Sequence, residues 1–249
     1  RRSVVVLHDI RPLVMDTDRG FFRFKFWVHC LSTKWFAQRV FTVSYDQRQL
    51  IHDKLGIPLD KIGVTYNGWE HMAKVQPDES IFEKMPAVKK GEYFYALGSL
   101  AGHKNFKWIR EVARRNPDKT FVVAGGKDLR AFGDDTEAKD THNVFYPGYV
   151  SDAENAALMK HCRLFLHPAV FEGFGIPPLE AAACGAPQII VSDTPCMREV
   201  YGPCAAYIDL TANPGDVDDV TPATAPTAAL LEKYSWDKSA ERLLQILNK

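Results

Sequence analysis

The chain has 249 residues, 46% hydrophobic and 25% charged. This is an ordinary balance for a soluble globular protein and fits one large or two small domains. Lys plus Arg and Asp plus Glu both count 31, and a formal net charge of zero argues against a nucleic-acid-binding domain, which would be basic. No apolar run reaches the roughly 18 residues of a membrane span, and no signal peptide is apparent. Cys30, Cys162, Cys184, Cys196 and Cys204 form no C-x-x-C pair. That spacing points to neither a disulfide framework nor a zinc site, and fits a reducing compartment.

The chain opens with Arg1-Arg2-Ser3-Val4, directly against an apolar run over 3–7, and reads as a cut into a longer protein. Residues 20–36 are aromatic-rich and predict a helix; 39–43 predict a strand and 45–55 a helix closed by Gly56. A further strand over 62–66 runs into the turn pair Asn67-Gly68. Residues 71–90 are polar, carry Pro77 and Pro86, and read as a linker. Beyond them short apolar strands alternate with helical stretches, the sign of a parallel α/β sheet. Strands are expected at 93–97, 120–124, 144–146, 163–167, 188–192 and 205–210. Asn105 is placed to cap a helix to Arg115, and Ser151 with Glu154 forms a capping box for a helix to His161. Residues 211–227 read as a loop and 230–247 as a terminal helical region.

The most informative stretch is Phe171-Glu172-Gly173-Phe174-Gly175-Ile176-Pro177-Pro178-Leu179-Glu180. Two carboxylates lie eight positions apart across a glycine-rich turn. The prolines mark a helix start, where their missing N–H costs nothing, and Gly185 is placed to end that helix. Free amides at Gly173, Phe174, Gly175 and Ile176 would make a ready anion site at the helix N-terminus. Amides for phosphate flanked by carboxylates for hydroxyls suit a sugar nucleotide.

From Phe171 to Val200 the sequence resembles the E-x7-E signature of the retaining glycosyltransferases of family 4. The resemblance covers nearly the whole chain and implies an α/β fold of the GT-B type: two Rossmann-like domains with parallel sheets, the N-terminal one incomplete. It divides the chain into a partial acceptor-side domain (1–70), a linker (71–90) and a nucleotide-sugar-binding domain (91–249) whose C-terminal helix returns. It also implies that Glu172 contacts the donor sugar, Glu180 the ribose and the 173–176 turn the diphosphate. Gly98, Ser99 and Lys104 match the phosphate loop, with His103 in place of an arginine and Ser99 in place of another found in some members. His8, at a strand end, matches a cleft histidine near the acceptor; Tyr149 and Val150 match the edge that pairs with the base; Gly125-Gly126 matches a turn lining the cleft.

The expected activity is retaining, metal-independent transfer of a sugar such as mannose from a GDP- or UDP-sugar to a glycan or lipid-linked acceptor, in the cytoplasm at the inner membrane face. No cofactor and no nucleic acid are expected. The alternatives are a fragment that binds sugar nucleotides without turnover, or an epimerase of the same architecture. An oxidoreductase lacks its G-x-G-x-x-G. Asp16-Thr17-Asp18 lacks any phosphate context, so a metal role is rejected. The interleaved aromatic and basic residues of 20–27 suit a buried helix, with a peripheral membrane contact as the other reading.

Overall fold

The computed structural model describes residues 3–15, 20–98, 102–125, 141–212 and 215–248. Ser99, Asp16, Asp18 and Gly126 lie outside these.

Two parallel sheets organise the chain. The first has the order β1 (Val4–Val6), β2 (Arg39–Thr42), β3 (Ile62–Val64). Helix α1 (Arg11–Val14) follows β1, α2 (Phe21–Phe36) leads into β2, and α3 (Tyr45–Leu55) links β2 to β3. Ser44 caps α3 by accepting from the Gln47 amide, and Gly56 ends it at φ 63°, a left-handed position that suits glycine. Leu7, Ile10, Cys30, Val40, Ile51, Ile57 and Ile62 form the core of this unit.

The second sheet has six strands in the order β6-β5-β4-β7-β8-β9, every adjacent pair parallel. These are β4 (Tyr93–Leu97), β5 (Thr120–Ala124), β6 (Val144–Gly148), β7 (Leu164–His167), β8 (Ile189–Ser192) and β9 (Ala206–Ile208). Helices α4 (Phe106–Arg115), α5 (Asp152–His161), α6 (Ile176–Ala183) and α7 (Pro195–Tyr201) connect them. Side chains alternate faces along a strand. Tyr93, Tyr95, Phe165 and Ile189 accordingly enter one core, while Phe94, Ala96, Leu166 and Ile190 enter another. Cover on both faces explains why these strands read as continuous apolar runs.

Local structure departs from the sequence expectations in four places. Helix α7, absent from the sequence reading, is capped by the Thr194 side chain and carries Pro195 in its first turn. Asn105 begins α4, yet its side chain makes no capping bond; it sits at φ 56°, a left-handed conformation that asparagine tolerates. The terminal helical region breaks at Tyr234-Ser235 into α8 (Ala229–Lys233) and α9 (Trp236–Leu247), because Ser235 caps a new helix. Helix α2 forms as expected but is not buried: Phe21, Phe22, Phe24, Trp35 and Phe36 are exposed, and only Cys30 and Thr33 are covered. A three-stranded sheet offers it one narrow stripe to pack against.

Residues 71–90 fold onto the second unit. They carry 3-10 turns at Met72–Lys74 and Glu79–Lys84, the Asp78 amide donates to Ala153 O at 2.9 Å, and Ile81, Met85 and Val88 join the core around Tyr93. Helix α9 crosses back to the first sheet, where Thr65 Oγ1 donates to Ser239 O at 3.0 Å. Burial raises the pKa of all five thiols, which suits packing rather than reactivity.

Candidate active site

The order of the large sheet reverses between β4 and β7, and ligands of such sheets bind beyond the carboxyl ends of the strands at that reversal. The loops leaving these two strands carry Lys104 and Glu172. Lys104 closes a 3-10 turn at Gly102–Lys104, and its Nζ donates to Glu172 Oε1 at 2.6 Å, with both side chains about five-sixths buried (16% and 15% exposed). His167, the buried last residue of β7, places Nε2 3.2 Å from the same oxygen. Burial pushes the Glu172 carboxyl upward, but the adjoining His167 ring and the Lys104 ammonium outweigh it and hold the group at about 2. Glu172 is therefore an anion throughout the neutral range.

The turn that follows is tied down by its carbonyl groups. Gly173 O accepts from Ser44 Oγ at 2.7 Å, Glu172 O from Gln47 Nε2 at 3.5 Å, and Gly175 O from the Tyr201 hydroxyl. By contrast, none of the amides of Gly173, Phe174, Gly175 or Ile176 has an acceptor among the described residues. Two of these positions require glycine. A Cβ on Gly173 would lie 2.4 Å from His8 O, and Gly175 sits at φ +78° with Met197 Cε 2.7 Å from its Cβ position. The approach to His8 O brings the end of β1 against the turn, although the His8 side chain itself is exposed.

Gly98 and Gly148 sit on the same carboxyl edge. The Gly98 amide donates to Ala124 O at 3.1 Å and the Gly125 amide to Gly148 O at 2.9 Å; a Cβ on Gly125 would stand 2.1 Å from Gly98 O. These close backbone approaches draw the ends of β4, β5 and β6 together. Just beyond, Tyr149 is 77% exposed and Val150 is buried.

Glu180 has separate company. Its Oε1 lies 2.9 Å from His71 Nε2, and Trp236 Nε1 donates to His71 Nδ1 at 3.3 Å. Because the indole can only donate, His71 carries its proton on Nε2 in this arrangement and gives it to Glu180. The two glutamates thus share one loop-and-helix segment but have different partners.

Several site residues escaped the sequence reading. His167 stood immediately before a proline at a strand end, with nothing local to mark it. Arg11 Nη1 lies 3.1 Å from both ring nitrogens of His103, and Asp9 Oδ1 accepts from the Arg11 amide at 3.0 Å. Glu199 of α7 reaches the first unit, accepting from the Tyr45 amide at 2.8 Å and the Asp46 amide at 2.9 Å, the position of a helix-capping carboxylate. These contacts join residues roughly 90 and 150 positions apart, beyond any local pattern. Among the described residues, no three His, Cys, Asp or Glu side chains come together to hold a metal ion.

Known proteins resemble this chain in sequence and in fold. O-antigen chain mannosyltransferase RfbU of Salmonella typhimurium is 30% identical over 225 residues, 87% of this chain and 58% of its own. Serotype-specific mannosyltransferase WbdA of Escherichia coli is 39% identical over 236 residues, 88% of this chain and 28% of its own. The chain therefore spans little more than half of the first relative and under a third of the second. The crystal structure of Anabaena HepE in complex with UDP and glucose superposes with a TM-score of 0.75 at 17% identity, covering 100% of this chain and 72% of its own. That likeness establishes the GT-B fold. The family model for glycosyl transferases group 1 matches residues 77–249, the whole of the large sheet with its loops, and the chain belongs to that family.

Proposed function

We propose that this chain carries the donor site of a retaining, metal-independent mannosyltransferase that uses a nucleotide-diphospho-sugar and extends a glycan or lipid-linked acceptor. The carrying observation is the turn at the sheet reversal, where four amides have no acceptor among the described residues, beside the Lys104–Glu172 pair. Mannose is supported by the kinship to RfbU and WbdA.

The hard step is loss of the nucleoside diphosphate from the anomeric carbon, during which negative charge builds on the leaving phosphate. Preorganised amides of Gly173, Phe174, Gly175 and Ile176, with the Lys104 ammonium, would stabilise that charge without reorganisation. Gly98 and Ser99 would line the phosphate path. Glu172, ionised throughout the neutral range, is a hydrogen-bond acceptor for sugar hydroxyls and not an acid. Glu180 would exchange its His71 partner for the ribose, and the Tyr149-Val150 edge would meet the base. His8 lies on the acceptor side. Attack on the face the diphosphate leaves would retain configuration, with the Glu172 carboxylate already engaged by Lys104.

The exposed aromatic and basic face of α2 supports a peripheral contact with the inner face of the cytoplasmic membrane, where a lipid-linked acceptor would reside. No helix among the described residues is long and apolar enough to cross a membrane.

Calorimetry with GDP-mannose and a UDP-sugar panel, beside a transfer assay on an oligomannose acceptor, tests the reading. Glu172→Ala and Lys104→Ala should each lower transfer on the order of a hundred- to a thousand-fold, with circular dichroism unchanged. Donor binding without any transfer by the whole protein would favour a binding role. Wild-type transfer by both variants would overturn the site.

A further inference from the structure

A diphosphate brings at least two negative charges, and among the described residues the mouth of this site has little to meet them beyond its amides. Lys104 is already bonded to Glu172, so the pair is close to neutral. Among the described residues, further positive charge reaches it from the other unit, on Arg11. Contacts run in a closed ring around the mouth: Gly173 rests on His8 and Asp9, Asp9 holds the Arg11 amide, Arg11 meets His103, and Lys104 beside it returns to Glu172. The His103 carbonyl also accepts from the Val170 amide at 2.8 Å, fixing that histidine to the loop that carries Glu172.

Arg11 is incompletely used in this ring. Its Nε is buried and makes no hydrogen bond among the described residues. Its Nη1 is equidistant from the two ring nitrogens of His103 at 3.1 Å, so it is committed to neither lone pair. A buried guanidinium donor without an acceptor is costly unless a ligand completes it. The imidazole opposite is kept uncharged near neutral pH: burial lowers its pKa, then Arg11 and Lys104 lower it further, against partial opposition from Glu172 and Asp9. A neutral ring can lie against Arg11 without repelling it.

We propose that Arg11 is the second cation of the diphosphate site, supplied across the cleft by the N-terminal unit and seated on the His103 ring. This rests on reading the mouth as a nucleotide-diphospho-sugar site. The guanidinium presents two faces of a rigid fork, suited to bridging phosphate oxygens. Because Arg11 belongs to the segment that follows β1, donor binding would also hold the two units together at the mouth.

The test is calorimetry on the whole protein with GDP, UDP, their nucleosides and inorganic pyrophosphate. Arg11→Gln should weaken the diphosphates and pyrophosphate roughly ten- to a hundred-fold, leaving nucleoside affinity unchanged. Adding His103→Arg to that variant should recover most of the loss, since the cation then comes from the opposite wall. Arg11→Lys should fall between the two. Wild-type diphosphate affinity in Arg11→Gln, with Lys104→Ala still defective, overturns the role of Arg11 and leaves the site reading standing. An equal loss of nucleoside and diphosphate also overturns it, as would failure of His103→Arg to recover any affinity. If Lys104→Ala too binds like wild type, the site reading itself fails.

Discussion

The two sheets of this protein are built from the same kind of unit, yet they differ in how completely they are covered. In the large sheet, every residue from Leu164 to His167 and from Ile189 to Ser192 is buried, because helices lie on both faces. In the small sheet, Val4 and Val6 of β1 stand more than 40% exposed, and α2 turns six aromatic rings to solvent. A parallel strand is stable when both faces are dry. The difference shows which part can present a rigid site and which part is shaped by what it meets. The carboxyl edge of the large sheet carries the fixed pair Lys104–Glu172; the small sheet contributes loops, His8 to Arg11 and Ser44 to Gln47, that lean on it.

The sharpest way to break this contrast is to remove apolar volume from each side. Leu179→Ala, in the core under the turn, should cost about 2–5 kcal/mol in urea unfolding. Phe22→Ser, on the open side of α2 with 58% of its surface exposed, should change stability by less than about 0.5 kcal/mol. A cost of several kcal/mol for Phe22→Ser would mean that the aromatic face is covered in solution.

Acid offers a second, smaller handle. The folded-state pKa of Glu172 is held at about 2, below the ordinary carboxylate value of 4.5. Its stabilising contribution is then complete above about pH 5 and is lost as pH falls through 4.5 towards 2. Thermal midpoints of wild type and Glu172→Gln should therefore converge across that window. A constant gap between them from pH 7 to pH 2 would show that the pairing with His167 and Lys104 contributes nothing. The smallest effect compares two caps. Ser151→Ala removes a capping box at the surface and should cost about 1 kcal/mol. Ser44→Ala removes both a cap and the bond to Gly173 O, and should cost about 1–2 kcal/mol. Equal costs would mean that the bond between units has no net worth.

Much of the large sheet was legible because its signals are local. The apolar run over 93–97, the box at Ser151 and Glu154, and the proline-opened helix after Gly175 are each written within a few residues. The turn with its free amides was legible for the same reason. Helix α7 was missed because Thr194-Pro195 reads as a loop until the cap on Met197 is seen. His167 and Arg11 were missed for a different cause: their neighbours arrive from other strands, and neither residue type announces a role alone. Gly173 illustrates the middle ground, since its place in the turn was readable while the approach of His8 O was not.

The backbone passes between the units twice, and the two passages lie side by side. A Cβ on Gly68 would stand 2.2 Å from the Trp236 nitrogen, Glu70 accepts from that same nitrogen, and Trp69 Nε1 donates to Leu231 O at 3.1 Å. A double strap of this kind works like a pin in a door. Cutting the chain once within 71–90 would not release either half, because the passage at Ser235-Trp236 would still hold them.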